Sequence, residues 1–436
     1  ACNDFHAGDF SLLSHRSYDS VQSLDFQTLF QNETASQILW FCTHHQQVIY
    51  STADTQFTDI STREFQWSYN ERVSTESDFA AYLQNCCILH LVQDTVFKML
   101  SDWNAASGSF GEGEGFKNGA LSVPENKIIT IDLCGNILNR GLTAPTSDGM
   151  VIYMSKGSLL TVNDSRSEKA NKGNISDGIW KPDANGSSEI KGGIITGGFN
   201  LTDGGGIYME EQTVLTMNGG TIAGNKANDG GGVQIEGGTS KLQMSESAFI
   251  SYNRAIGNIY GGGGICTDGT GVTIAGGNVT YNTAKYGGGI YCYEDSVSII
   301  GVAIENNTAS ADGGGVYPQG TGVSLSSCRL TNNAANGNGG ALFVYTTGTS
   351  LSDSTVEGNT ANGKGDGVYV TTDCDLSVSG EEQFYFRLCY LLIGINKIEL
   401  TLNFHSVNRK SCQIIPAVCD WLVSKCDCTI LGNQFT

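Results

Sequence analysis

Short runs in which every second residue is apolar recur along the middle of the chain. They include Leu215/Met217, Leu242/Met244, Val272/Ile274, Val297/Ile299, Val323/Leu325 and Leu376/Val378. Alternation of this kind predicts strands with one face buried and one face out. A second marker is an aliphatic residue three positions before an asparagine. It occurs as Ile222/Asn225, Ile250/Asn253, Val279/Asn282, Ile304/Asn307, Leu330/Asn333 and Val356/Asn359, and alanine follows each asparagine two residues later, from Ala227 to Ala361. Glycine-rich segments form the third marker. They end at Gly206, Gly232, Gly264, Gly289, Gly315, Gly340 and Gly367, in steps of 26, 32, 25, 26, 25 and 27 residues. The next residue is Ile207, Val233, Ile265, Ile290, Val316, Ala341 or Val368.

Each repeat therefore holds two or three strands of a few residues, broken by Gly, Asn, Asp or Ser. No repeat has a capped helical period, and so much glycine opposes a helical solenoid. A sandwich needs hairpins, and its strands would not recur at a fixed spacing. The economical solution is an all-β, right-handed parallel β-helix with coils of about 26 residues, stacked about 4.8 Å apart. Residues at one position of every coil then form ladders. Asn225, Asn253, Asn282, Asn307, Asn333 and Asn359 are expected to bond amide to amide from coil to coil. The glycines are expected where the backbone turns too tightly for a Cβ.

The β-helix is expected over 76–380. The stretches 120–124, 127–136, 150–153 and 158–162 look like early coils. Residues 163–190 are polar and include Trp180 and Pro182, which predicts an inserted loop. Upstream, 78–83 reads as a short capping helix and 88–92 as the first strand, since a solenoid needs covered ends. Residues 1–75 carry no such pattern and remain unassigned. Glycine and ladder asparagines stop after Gly380. The tail, 381–436, reads either as a C-terminal cap or as sequence foreign to the repeat domain.

Composition narrows the class. There are 57 glycines against 5 prolines, which excludes collagen and typical linkers. Acidic residues outnumber basic ones 44 to 24, for a net charge of −20, which argues against nucleic acid as a partner. The apolar run at 388–395 is too short to cross a bilayer, so no transmembrane segment is expected. Fourteen scattered cysteines contain no CxxC pair, which opposes a zinc ribbon. The chain starts at Ala1, as expected of a processed chain or a fragment.

At these repeats the chain resembles the polymorphic outer-membrane-protein repeat of chlamydial surface adhesins and autotransporter passengers, with its Gly-Gly-x-aliphatic and aliphatic-x-x-Asn motifs. Only Gly339-Gly340-Ala341-Leu342 approaches the usual first motif, and the phenylalanine of the second is always Ile, Val or Leu here. The stretch Ile129-Thr130-Ile131-Asp132-Leu133-Cys134-Gly135-Asn136 is similar to the first coils of β-helix surface proteins of gut-type bacteria. The resemblance covers roughly 76–380. It implies a secreted or surface-displayed β-helix, extracellular or at the cell surface, without a defined activity.

Two functional classes follow. The first is adhesion or display, with a glycan or a host surface protein as partner. Tyr208, Tyr291, Tyr317 and Tyr369 follow the glycines, and alternation places them on the outer face as an exposed strip. Stacked rings also simply stiffen a coil, which is the commoner use. The second class is a polysaccharide lyase or glycoside hydrolase. It needs paired carboxylates. Asp203, Asp312 and Asp366 at the glycine corners, with Glu210, Glu211, Glu294 and Asp295, are the candidates. Their recurrence with the repeat points to turn chemistry instead. Between His90 and His405 there is no histidine, and Arg254 and Arg329 are the only arginines from 191 to 380. No residue is assigned a catalytic role, and neither a metal nor a cofactor is called for.

Overall fold

A computed structural model describes residues 96–380, apart from 100–101, 106, 111–115 and 373, together with strand segments at 38–42, 47–51, 56–59, 64–68 and 399–402. The expected capping helix at 78–83 and first strand at 88–92 lie outside the described residues. Among the described residues there is no helix, and hence none long and apolar enough to cross a membrane. The chain winds as a parallel β-solenoid, the fold the repeats predict.

From Ile207 onward every full coil visits four sheets; the two coils before it visit the first three. Sheet 1 starts after the glycines and runs from Ala120–Val123 to Val368–Val370. Sheet 2 carries the alternating runs, such as Val214–Met217 and Lys241–Met244. Sheet 3 ends just before the ladder asparagines and runs from Trp103–Asn104 to Thr355–Glu357. Sheet 4 consists of six two-residue strands, from Lys226–Ala227 to Thr360–Ala361. Equivalent residues of successive coils pair in parallel. Ile207 lies beside Val233, and Ile222 beside Ile250.

The lumen is filled by aliphatic columns. Ile222, Ile250, Val279, Ile304 and Leu330 are fully buried on sheet 3, as are Ile207, Val233, Ile265, Ile290 and Val316 on sheet 1. On sheet 4 the inward position is held by Ala227, Ala255, Ala284, Ala309 and Ala335, all buried. At the corner between sheets 3 and 4 the asparagines form the expected ladder. Asn225, Asn253, Asn282, Asn307 and Asn333 are fully buried, and Asn359 nearly so.

The glycines have separate reasons. The first of each group, from Gly204 to Gly365, has φ between 56° and 74°, the left-handed region. The third packs on the ladder: a Cβ on Gly289 would lie 2.9 Å from Asn307 Nδ2 and 2.7 Å from Gly315 O. One repeat shifts from the expected alignment. Ala341 occupies the third-glycine position, accepting the Gly315 and Val316 N–H groups, and Leu342 is the inward aliphatic. The uneven steps of 25 and 27 residues thereby become two steps of 26, since Gly315, Ala341 and Gly367 are the equivalent positions.

The expected loop at 163–190 is instead largely a small antiparallel sheet. Ala170–Ser176 lies between Ile179–Pro182 and Ser188–Lys191. Trp180 is fully buried against Ile137, Ile194 and Ala223, on the outside of sheet 3. Trp180, with Ile190 packed beside it, docks this sheet, so its strands carry little apolar alternation. In the tail, Glu399–Leu402 adds a parallel strand to sheet 2 beside Leu376–Gly380. In the unassigned N-terminal region, Glu64–Ser68 pairs in parallel with Val96–Lys98, so sheet 2 also extends upstream.

Candidate functional site

The outer face of sheet 1 gathers the side chains with chemistry. Its central row, read along the solenoid, is Tyr153, Tyr208, Gln234, Cys266, Tyr291, Tyr317, Phe343 and Tyr369. All four tyrosines expected on this face are in it. Tyr291 and Tyr317 stack at 5.2 Å between ring centroids, and Phe343 continues the stack at 4.9 Å from Tyr317 and 5.4 Å from Tyr369. Tyr153 and Tyr208 form a second stack at 5.4 Å. Phe343 was hidden by the one-residue shift at Ala341, and Tyr153 by the missing glycine triplet in its coil.

The expected exposure of this strip is corrected at its centre, while Tyr208 and Tyr369 are half-buried. Tyr291 is 1 % exposed and Tyr317 9 %. Ring faces point along the solenoid axis, so each ring covers the next. Neighbouring rows close the sides: Tyr286 meets Tyr317 edge-on at 5.3 Å, and Tyr260 tilts against Tyr291 at 6.2 Å. The Tyr291 hydroxyl donates to Gln319 Oε1. Burial holds both phenols above their usual pKa. On this face Tyr345, 53 % exposed, is the open ring.

Between the two stacks the row breaks at Gln234 and Cys266. Four carboxyl groups surround the break. Asp203 and Asp229 lie side by side on adjacent coils at the corner entering sheet 1. Glu236 and Asp268 pair at the far ends of their sheet-1 strands. Asp229 is buried, and its Oδ2 accepts from Asn228 Nδ2 at 3.1 Å. Burial, then the Asp203 charge, pushes the Asp229 carboxyl up to about 7. Asp203 is raised by burial and by Asp268, Glu236 by burial and the charges of Asp268 and Asp203, and Asp268 by burial. Among the described residues, none of the ion pairs involves these four groups. Burial also keeps the Cys266 thiol protonated and unreactive.

No family model, curated protein or solved structure matches the chain.

Apart from Glu294, the other carboxylates named from the sequence serve turns and pairs. Asp312 Oδ1 accepts the Asn338 N–H at 2.7 Å, Asp366 Oδ1 that of Ala361 at 2.9 Å, and Asp295 Oδ1 that of Thr321 at 2.7 Å. The last bond holds Asp295 below its usual pKa. Glu210 accepts from the Tyr153 hydroxyl and from the Lys156 N–H, and Glu211 pairs with the Lys156 ammonium. Only Asp203 joins the cluster. Asp229 escapes sequence reasoning because Asn228-Asp229-Gly230 looks like an ordinary turn. One signal was present: the step from Gly232 to Gly264 is 32 residues, the longest of the series. Part of that excess is the loop at 256–260, which brings Tyr260 to the edge of the break.

Among the described residues, no group of three or more carboxylates, thiols or imidazoles is arranged to hold a metal ion.

Proposed function

We propose that the protein is a secreted or cell-surface β-helix that works as an adhesin or display stalk, engaging a glycan or a partner protein through the outer face of sheet 1. The observation that carries this reading is the concentration on one face of two aromatic stacks and four carboxyl groups without a cationic partner. The lumen of the described coils is filled by buried aliphatic side chains. A regular coil needs neither the break in the row nor the acids around it. The resemblance to bacterial surface β-helices supports the same reading, as does the net charge of −20, which keeps an extended repeat soluble.

One observation favours a second reading, cleavage of a polysaccharide. Asp203 and Asp229 are adjacent carboxyls, one of which keeps its proton to about 7, and such a pair can divide acid and base roles. Among the described residues, no basic side chain forms an ion pair with them. The test is to incubate the full chain with a panel of plant and host polysaccharides and cell-surface proteins, measuring retention and new reducing ends. Retention without new ends is expected. New ends that vanish in Asp203→Asn would replace adhesion by hydrolysis.

A further inference from the structure

A further aromatic stack lies on a different face, at the corner between sheets 3 and 4. The residue before each ladder asparagine has left-handed backbone: Gly224, Tyr252, Tyr281, Asn306, Asn332 and Gly358 all have φ between 55° and 72°. They form one column, tied from coil to coil by backbone hydrogen bonds. The Tyr281 N–H donates to Glu305 O, and the Asn306 N–H to Thr331 O, each at 3.1 Å. Glycine and asparagine adopt this backbone readily, and a bulky side chain does not. On two successive coils a tyrosine therefore holds a strained conformation that the other members of the column avoid.

The two rings stack at 5.0 Å between centroids and lie 6° from parallel. Tyr252 is half-buried against the Trp180 cluster. The insertion walls the column as far as the Tyr281 coil, where a Cβ on Gly178 would lie 3.2 Å from Thr283 Cγ2. Tyr281 ends the stack and is 45 % exposed. The next two positions carry the shorter Asn306 and Asn332, so the outer face of the Tyr281 ring looks out over them. Among the described residues, none bonds to the side-chain amide of Asn306 or Asn332. By contrast, Asn278 Nδ2 on sheet 3 is taken up by Glu246 O and Ala248 O. An open ring face with two free carboxamides beyond it offers apolar contact together with donors and acceptors. In the adjacent row Glu305 pairs with Arg329 and accepts from Thr331 Oγ1 at 2.9 Å, so no free cation stands there to hold an anion.

We propose that this corner column is a subsite for a neutral pyranose ring with equatorial hydroxyls. The apolar C–H face of the sugar packs on Tyr281, and its hydroxyls bond to the amides of Asn306 and Asn332. An acidic sugar is disfavoured by the net charge of −20 and by Glu357, which follows Glu305 and Thr331 in the adjacent row. A protein segment would need apolar neighbours for its side chains, and beyond Tyr281 the column is asparagine and glycine. One ring and two amides make a weak subsite, with an affinity on the order of 1 mM. That is too weak to retain a polysaccharide alone, so the subsite adds to binding by sheet 1 and does not replace it. The inference concerns a separate face and does not rest on the reading of sheet 1.

The test is saturation-transfer NMR of the full chain, titrated with cellotetraose, xylotetraose and tetragalacturonate. Saturation of the ring C–H protons is expected for a neutral tetrasaccharide, with a weaker response from tetragalacturonate. Tyr281→Asn and Asn306→Gly/Asn332→Gly bring in only residues that the same column already uses, so the backbone is kept. Tyr281→Asn should weaken binding by about tenfold or more. The glycine pair should weaken it by about threefold or more. Both should keep cooperative thermal unfolding. Tyr260→Ser/Tyr345→Ser, on sheet 1, should bind the tetrasaccharide as the parent does. No response from either neutral tetrasaccharide, or an unchanged response in Tyr281→Asn, would overturn the proposal. Tighter binding of tetragalacturonate would overturn the neutral ligand. A response lost in the sheet 1 variant and kept in Tyr281→Asn would place the sugar on sheet 1 and overturn the corner subsite while leaving adhesion intact.

Discussion

Asn307 donates twice to the same oxygen of Asn333. Its backbone N–H and its side-chain Nδ2 both lie 3.0 Å from Asn333 Oδ1. Asn307 Nδ2 also donates to Val279 O, one coil back, at 2.8 Å. The pattern repeats from Asn225 to Asn359, so each of these amides serves the corners on both sides of it. At the first end the ladder closes on a glycine, where the Gly198 N–H donates to Asn225 Oδ1. Asn307→Ala would leave the backbone N–H of Asn282 and the Val279 carbonyl short of a partner in a dry corner. The expected loss is about 2–4 kcal/mol, read as a lower urea midpoint. An unchanged midpoint would mean that the ladder is decoration.

The aromatic stack gives a contrast within one face. Tyr317 is enclosed by Tyr291, Phe343, Tyr286 and Tyr345. Tyr317→Ala should cost about 3 kcal/mol or more, because it opens a cavity in that cluster. Tyr345→Ser, at the exposed rim, should cost less than about 1 kcal/mol. Equal costs in thermal unfolding would contradict the burial described.

The Asp229 carboxyl links stability to pH. In the folded chain it holds its proton up to about 7. An unfolded chain releases that proton near about 3.9. A raised acid favours folding fully below the unfolded value and loses that contribution as pH rises through the folded one. Stability from this site should therefore fall between about pH 4 and pH 7. Asp203, Asp268 and Glu236 are raised too and reinforce the trend. Asp229→Asn, which removes the charge, should be nearly neutral at pH 4. At pH 8 it should stabilise by about 2 kcal/mol. A variant that destabilises equally at both pH values would show that the ionised carboxylate is held by a partner.

Much of the fold could be read directly from residues. The asparagine spacing, the inward aliphatics and the early coils within 120–162 follow from periods of two residues and of one coil, and these are local signals. What escaped was non-local or shifted. Phe343 lay one residue out of frame because Ala341 replaces a glycine. The antiparallel insertion docks through Trp180 and Ile190 and through the Asn171 amide, and so lacks an alternating pattern. Tyr291 and Tyr317 looked exposed because alternation tells inside from outside the coil, whereas Tyr260 and Tyr286, which cover them, come from other rows. Asp229 and Gln234 became a candidate site only when neighbouring coils were placed side by side.

The claim that the outer face of sheet 1 is the working surface is tested most directly by one comparison. The full chain and a Tyr260→Ser/Tyr345→Ser/Asp268→Asn variant would be measured for retention on the panel of glycans and cell-surface proteins, with thermal unfolding followed in parallel. The account expects unfolding within a few degrees of the parent and retention reduced by about tenfold or more. Retention at the parent level, in a variant that unfolds like the parent, would contradict it and move the search to another face of the solenoid.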